Sequence, residues 1–190
     1  MESISQKFRN FMENKEDYLL LDTETTGLGP THEIIELGII DLDGNEVYHS
    51  LFKPKRSIDP GAARVHGITD GDLVGAPAFS QEYDRIHSLL NGKTILIYNA
   101  SFDSRMLNQT ARIHGLPNVI KNHETNCIML DYAVHNGEYN PQRRSYKWVK
   151  LEQACRNEGV QGIQDHRATG DCLLTLEVIK KVAASDAAVS

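Results

Sequence analysis

YLLLDTETTGLG, residues 18–29, runs from an aromatic through three leucines into two carboxylates separated by a single threonine. The apolar lead-in from Tyr18 to Leu21 and the threonines beyond it favour extended backbone, so the stretch reads as a core strand. Side chains alternate along a strand, which sends Leu20, Asp22 and Glu24 to one face and Leu21 and Thr23 to the other. Two carboxylates aimed at one place repel and lose hydration unless a proton, a cationic side chain or a metal compensates. A divalent ion is the most economical compensator. The same fragment also reads as a strand running out into solvent, where Asp and Glu are ordinary, so the decision passes to the rest of the chain.

Outward from that strand, EIIELGIID (33–41) is a second strand candidate, DLDGNE supplies an Asp-Gly turn signal, and EVYHSLFKP returns as a third, giving an antiparallel meander. Upstream, Ile4, Phe8, Phe11 and Met12 share one face of a short helix that packs onto the domain. Residues 54–77 are loop-rich, with a short helical turn in HGITDGDL, and SQEYDRIHSLLNG is a helix closed by Gly92. TILIYN (94–99) is a β-branched strand, and the helix after it carries Phe102, Met106, Thr110 and Ile113 at helical spacing. Residues 125–135 read as an apolar helix, with a strand at their start left open. A polar loop, 136–145, leads to KWVKLEQACRNEG, where Trp148, Leu151 and Cys155 share a helical face that assigns Trp148 to the core. The last helix is ATGDCLLTLEVIKKVAA. Strands first, then helices around a further strand, predict an α/β fold with a mixed β-sheet flanked by helices. The expected boundaries are a helical extension over 1–17, one domain over 18–184 and a short tail over 185–190.

With 40% hydrophobic and 24% charged residues, the 190-residue chain has the composition of a soluble single domain. It has no bilayer-length apolar run, and its start lacks the apolar centre of a secretory signal, so a cytoplasmic location and no membrane partner are expected. Cys127, Cys155 and Cys172 are odd in number and far apart, which suggests buried thiols rather than disulfides or a thiolate metal site. The formal net charge of −6 argues against a surface that coats a long duplex, yet leaves room for a local basic track beside an acidic centre.

Two later segments supply what a metal site begun by Asp22 and Glu24 requires. In YNASFDSR, Asp103 follows a strand and begins a helix; in DHRATGDCLL, His166 precedes a helix and Asp171 lies in its first turns. Four carboxylates and a histidine thus stand where strand ends and helix starts can present them to one cleft.

In these segments the chain resembles the DEDDh exonucleases, a family that includes the proofreading subunit of bacterial replicative DNA polymerase. The matching motifs are Asp22-Thr-Glu24-Thr-Thr-Gly27, Asn99-Ala-Ser-Phe102-Asp103 and His166-Arg-Ala-Thr-Gly-Asp171, with VHGIT at 65–69 and SYKWVKLEQAC supporting them across residues 18–183. The resemblance implies a ribonuclease-H-like fold and removal of nucleotides from a 3′ end. It further implies two divalent cations, Mg2+ or Mn2+, favoured by hard oxygen donors. Asp22 would bridge them, Glu24 and Asp171 would complete much of the shell around one, and Asp103 would support the second. His166 would be the general base. A lone histidine among eight is ordinarily structural or exposed, but its five-residue offset from Asp171 within the whole constellation favours the base.

Substrate contacts are written less sharply. Thr25, Thr26 and Gly27 would let backbone approach the terminal nucleotide, and the resemblance points to His66, Ile68 and Phe102 against its sugar or base; each also suits loop or core packing, Ile68 and Phe102 equally so. Asn99 is expected to support the junction near Asp103. Arg143, Arg144, Lys147, Lys150 and Arg156 against Glu152 form a basic window, with Tyr139 and Tyr146 as stacking candidates, and a solvated loop is the alternative. The expected substrate is single-stranded DNA or a frayed 3′ DNA end. The alternatives are an exoribonuclease acting on RNA and a non-catalytic nucleic-acid- or polymerase-binding module. The short end ASDAAVS favours standalone action or a transient polymerase or repair partner over a tail-mediated assembly.

Overall fold

The computed structural model describes residues 2–120, 123–162 and 166–185. Five strands form one sheet in the order β3-β2-β1-β4-β5: β1 Tyr18–Thr25, β2 Ile34–Ile40, β3 Glu46–Leu51, β4 Thr94–Ile97 and β5 Thr125–Cys127. β1, β2 and β3 pair antiparallel, while β4 and β5 run parallel to β1. The expected mixed sheet is therefore present. Every residue of β2 is buried, as happens when helices cover both faces.

Strand alternation divides the core in two. Leu20, Ile40 and Leu96 face α1 (Ile4–Glu13), α5 (Ile128–Asn136), α6 (Leu151–Glu158) and α7 (Ala168–Ser185). Leu19, Leu21, Ile39 and Ile95 face α3 (Phe79–Leu90) and α4 (Ala100–Ile113). α1 belongs to the first of these clusters through Phe8 and Phe11, and Lys7 reaches Asp131 of α5 at 2.8 Å, so the N-terminal helix is packed on the domain. Among the described residues no helix is long and apolar enough to cross a membrane. Of the proposed tail, Ser185 ends α7, and residues 186–190 lie outside the described residues.

Several local expectations are corrected. The turn expected in HGITDGDL is present, with the Asp72 amide donating to the Thr69 carbonyl at 3.0 Å, but the region read as loop-rich also holds a helix, α2, Pro60–His66; Pro60 opens it and Gly67, at φ 72°, closes it in the left-handed conformation. Residues 125–136 resolve into β5 followed by α5. Within the expected polar loop, β6 (Tyr139–Asn140) and β7 (Ser145–Tyr146) pair as a small hairpin, with Tyr139 packed edge-on against Tyr146 at 5.3 Å. Cys155 and Cys172 are buried, whereas Cys127 is partly exposed. Trp148 is not in the core. It is 66% exposed, because α6 begins only at Leu151 and Val149 turns inward in its place.

Candidate metal centre

β1 carries the first two carboxylates into a place where its pairing with β2 breaks register between Glu24 and Thr25. Such a bulge ends regular pairing and re-aims side chains. Asp22 stands opposite Gly38 of β2, and that glycine is needed: a Cβ there would lie 2.6 Å from the backbone nitrogen of Thr169. Gly38 thus lets the start of α7 settle directly on the sheet, which delivers Asp171 to Asp22 and Glu24.

A buried glutamate fixes the same helix end. Glu36 is 1% exposed, in the middle of β2 and opposite Glu24. Its carboxylate accepts two bonds from Arg167, Nη2 at 2.7 Å and Nε at 3.0 Å, a third from the Ala168 backbone N–H at 3.2 Å, and pairs with His49 Nε2 at 2.8 Å. Burial pushes the Glu36 carboxyl upward, but the bonds from Arg167, His49 and Ala168 outweigh it and hold the group below its ordinary value. Replacing Glu36 with Gln leaves Arg167 facing an amide. Because the guanidinium is partly solvated, the expected cost is about 1–3 kcal/mol in urea unfolding. First-turn amides of α7 should lose exchange protection first. A cost no larger than that of Glu177→Gln, in an exposed pair with Lys180, would contradict this reading.

Ligand atoms of Asp22, Glu24 and Asp171 lie within 4.8 Å of one another. Asp103, in the first turn of α4, is not part of that tight group but lines the same cleft of about 410 Å³, as do Asn99, Phe102 and His166. Its carboxylate accepts a bond from Thr23 Oγ1 at 2.7 Å. His166 Nδ1 is 3.9 Å from Asp171 Oδ2, and its backbone adopts a left-handed φ of 53°.

The electrostatics fit a divalent cation. Burial, then the charges of Asp103, Glu24 and Asp171, raise Asp22 well above the ordinary carboxylate value. Burial, then Asp171, Glu36 and Asp103, push Glu24 up to about 9, with Arg167 opposing. Asp103 is raised by burial to about 7 despite the bond from Thr23. Desolvated, mutually repelling oxygens of this kind are what a divalent cation neutralises.

The remaining predicted residues divide. Thr25 and Thr26 are buried beside the cleft; Thr26 Oγ1 bonds His32 Nδ1 at 3.0 Å and accepts from the Glu33 amide at 3.0 Å. Gly27 is held so closely against His32 that a Cβ would sit 2.5 Å from its ring. His66 is buried, accepts from the Ile68 amide at Nδ1 and so presents Nε2–H to the Thr25 carbonyl at 3.2 Å. Ile68 packs with Ile35 and Leu73. Asn99 supports α4 through its backbone carbonyl, which accepts from Phe102 and Asp103, while its side chain accepts from Ser101. Arg143 and Arg144 are exposed, away from the cleft lining. Sequence reasoning missed Gly38 and the Glu36–Arg167 pair, and it placed Lys150 only in a basic window although it lines the cleft.

Residues 19–179 match the exonuclease family model RNase_T. Over 193 aligned residues the chain is 39% identical to the uncharacterized exonuclease CP81 of Escherichia phage 186, covering 98% of this chain and 97% of the phage protein. It is 30% identical to the DNA polymerase III epsilon subunit of Pasteurella multocida, across 86% of this chain but only 65% of that longer one. Among solved structures, E. coli exonuclease I in complex with a dT13 oligonucleotide superposes with a TM-score of 0.72 at 19% identity, over 88% of this chain and 41% of that one. That last likeness is one of fold, a ribonuclease-H-like mixed sheet.

Proposed function

The chain belongs to the RNase_T exonuclease family, and from that premise we propose that it hydrolyses single-stranded or frayed DNA from the 3′ end, releasing nucleoside 5′-monophosphates. The observation that carries the reading is the convergence of Asp22, Glu24 and Asp171, with Asp103 and His166 on the same cleft. Asp22, Glu24 and Asp171 would hold a divalent cation between them, and Asp103, on the same cleft, would help hold a second. When bound, such cations would supply charge to polarise the scissile phosphodiester and to lower the pKa of the attacking water. His166 takes the proton of that water at Nε2, since Nδ1 is turned toward Asp171. Thr23 and Thr26 hold the carboxylate and turn that flank the terminal nucleotide. The kinship with polymerase III epsilon subunits supports work alongside a replication or repair polymerase, through a transient contact.

A 5′-labelled single strand with Mg2+ or Mn2+ should shorten as a one-nucleotide ladder, stop on chelation and resist when its 3′ hydroxyl is blocked. Calorimetry on the metal-free protein should independently detect cation binding. Rapid cutting of a closed single-stranded circle by the purified chain would sink the strictly exonucleolytic reading. Matched DNA and RNA oligonucleotides should give the higher kcat/KM for DNA, and a strong RNA preference would replace the substrate while keeping the mechanism.

A further inference from the structure

Trp148 is the single tryptophan of the chain, and it is 66% exposed in the loop that leads into α6. It is held in place rather than loose. On one side Val149 is buried, with its carbonyl accepting from the Tyr98 hydroxyl at 2.8 Å. On the other, the Lys147 amide bonds the Glu138 carbonyl at 2.8 Å and Lys147 Nζ pairs with Glu138 at 2.9 Å. The groove beside the indole has a volume of about 460 Å³ and shares Lys150 and Glu152 with the carboxylate cleft. Cleft and groove therefore meet along one wall. The surrounding segment, residues 136–157, carries five basic against two acidic residues in a chain of net charge −6. Among the described residues Arg143, Arg144 and Lys150 make no ion pair.

A pinned, exposed indole that shares its groove with Lys150, in a segment that also carries Arg143 and Arg144, is a combination that binds single strands, since an aromatic face stacks any base and lysine or arginine follows the phosphates. We propose that Trp148 is a stacking platform for a base of the single strand upstream of the terminal nucleotide, with Lys150 bridging from platform to cleft. This rests on the exonuclease reading. The platform acts on strand binding and leaves bond cleavage to the carboxylates.

The single tryptophan makes the platform directly observable. In chelator, titrating a phosphorothioate-linked oligothymidylate of about eight nucleotides should quench the Trp148 emission, whereas thymidine 5′-monophosphate should leave it nearly unmoved. With metal, Trp148→Ala should raise KM for the unmodified oligonucleotide about 10- to 100-fold, consistent with the usual worth of one stacked base. Hydrolysis of the p-nitrophenyl ester of thymidine 5′-monophosphate, too short to reach the groove, should change less than about twofold. Trp148→Phe should restore much of the oligonucleotide KM. Unmoved emission with the oligonucleotide, or equal losses on long and short substrates, would overturn the platform. If neither substrate were hydrolysed by the unmodified chain, the exonuclease reading would fail, while the quenching titration would still decide the platform.

Discussion

Asp22→Asn should reduce Mg2+- or Mn2+-supported turnover by about 10³-fold or more, and in metal-free buffer the same variant should melt later than the unmodified chain. The loss follows from removing a charge at the centre of the ligand group: partners one layer further out already cost about 10–100-fold when changed, and Asp22 is closer. The gain follows from burial and from the charges of Asp103, Glu24 and Asp171 that press on Asp22. An asparagine of similar size relieves that repulsion, worth about 2–4 °C in Tm per kcal/mol for a chain of this length. The pH dependence has a definite sign. Glu24, held at about 9, and Asp103, at about 7, bind their protons more tightly folded than unfolded. Their contribution to stability is complete below the ordinary carboxylate range and is lost as pH rises through those values. Metal-free Tm should therefore fall between about pH 5 and 9, added Mg2+ or Mn2+ should flatten the slope, and Asp22→Asn should make the metal-free slope shallower. A variant that kept activity within tenfold, or melted earlier without metal, would show that Asp22 is not the crowded ligand described.

How much of this was readable without coordinates depended on the range over which each residue's partner lies. Leu19 to Leu21, Ile34 to Ile40 and Ile95 to Ile97 announce strands because the apolar pattern is local, and Asp22 and Glu24 share a face because alternation is local. α2 escaped because seven residues with little apolar periodicity leave only Asp59-Pro60 at one end and Gly67 at the other as signals. Trp148 was misplaced because its spacing to Leu151 and Cys155 imitates a helical face; the inward residue is Val149, and the chain stays extended until Lys150 caps α6. Glu36 looks like a charge stranded in an apolar strand until Arg167, 131 residues later, is brought against it. Gly38 is likewise mute in the sequence: its need is set by the backbone of Thr169, which only the folded chain places there. The catalytic candidates were legible as a set because each sits at the end of a locally readable element, whereas the scaffolding that aligns those ends is made of long-range pairs.

His166→Ala should lose about 10²- to 10⁴-fold in turnover, the usual worth of a positioned general base, while cation affinity measured by calorimetry stays within about threefold. The separation is expected because Asp22, Glu24 and Asp171 gather without the imidazole, whose Nδ1 stops 3.9 Å short of Asp171. The residue is placed by its neighbours: Arg167 is locked onto Glu36, and α7 begins at Ala168. That leaves His166 at φ 53°, a left-handed backbone that a residue with a Cβ adopts at a cost of about 1–2 kcal/mol. Its side chain is 42% exposed, so core packing is not what holds that conformation. His166→Gly turns this into a test. Glycine relieves the backbone, so the variant should be at least as stable as the unmodified chain, yet as inactive as His166→Ala; added imidazole should restore part of its turnover by supplying the missing base. If imidazole restored nothing and both variants worked within about threefold of the unmodified chain across pH, the proton would have to leave the attacking water by another route, and the cleft would be a two-cation site without a histidine base.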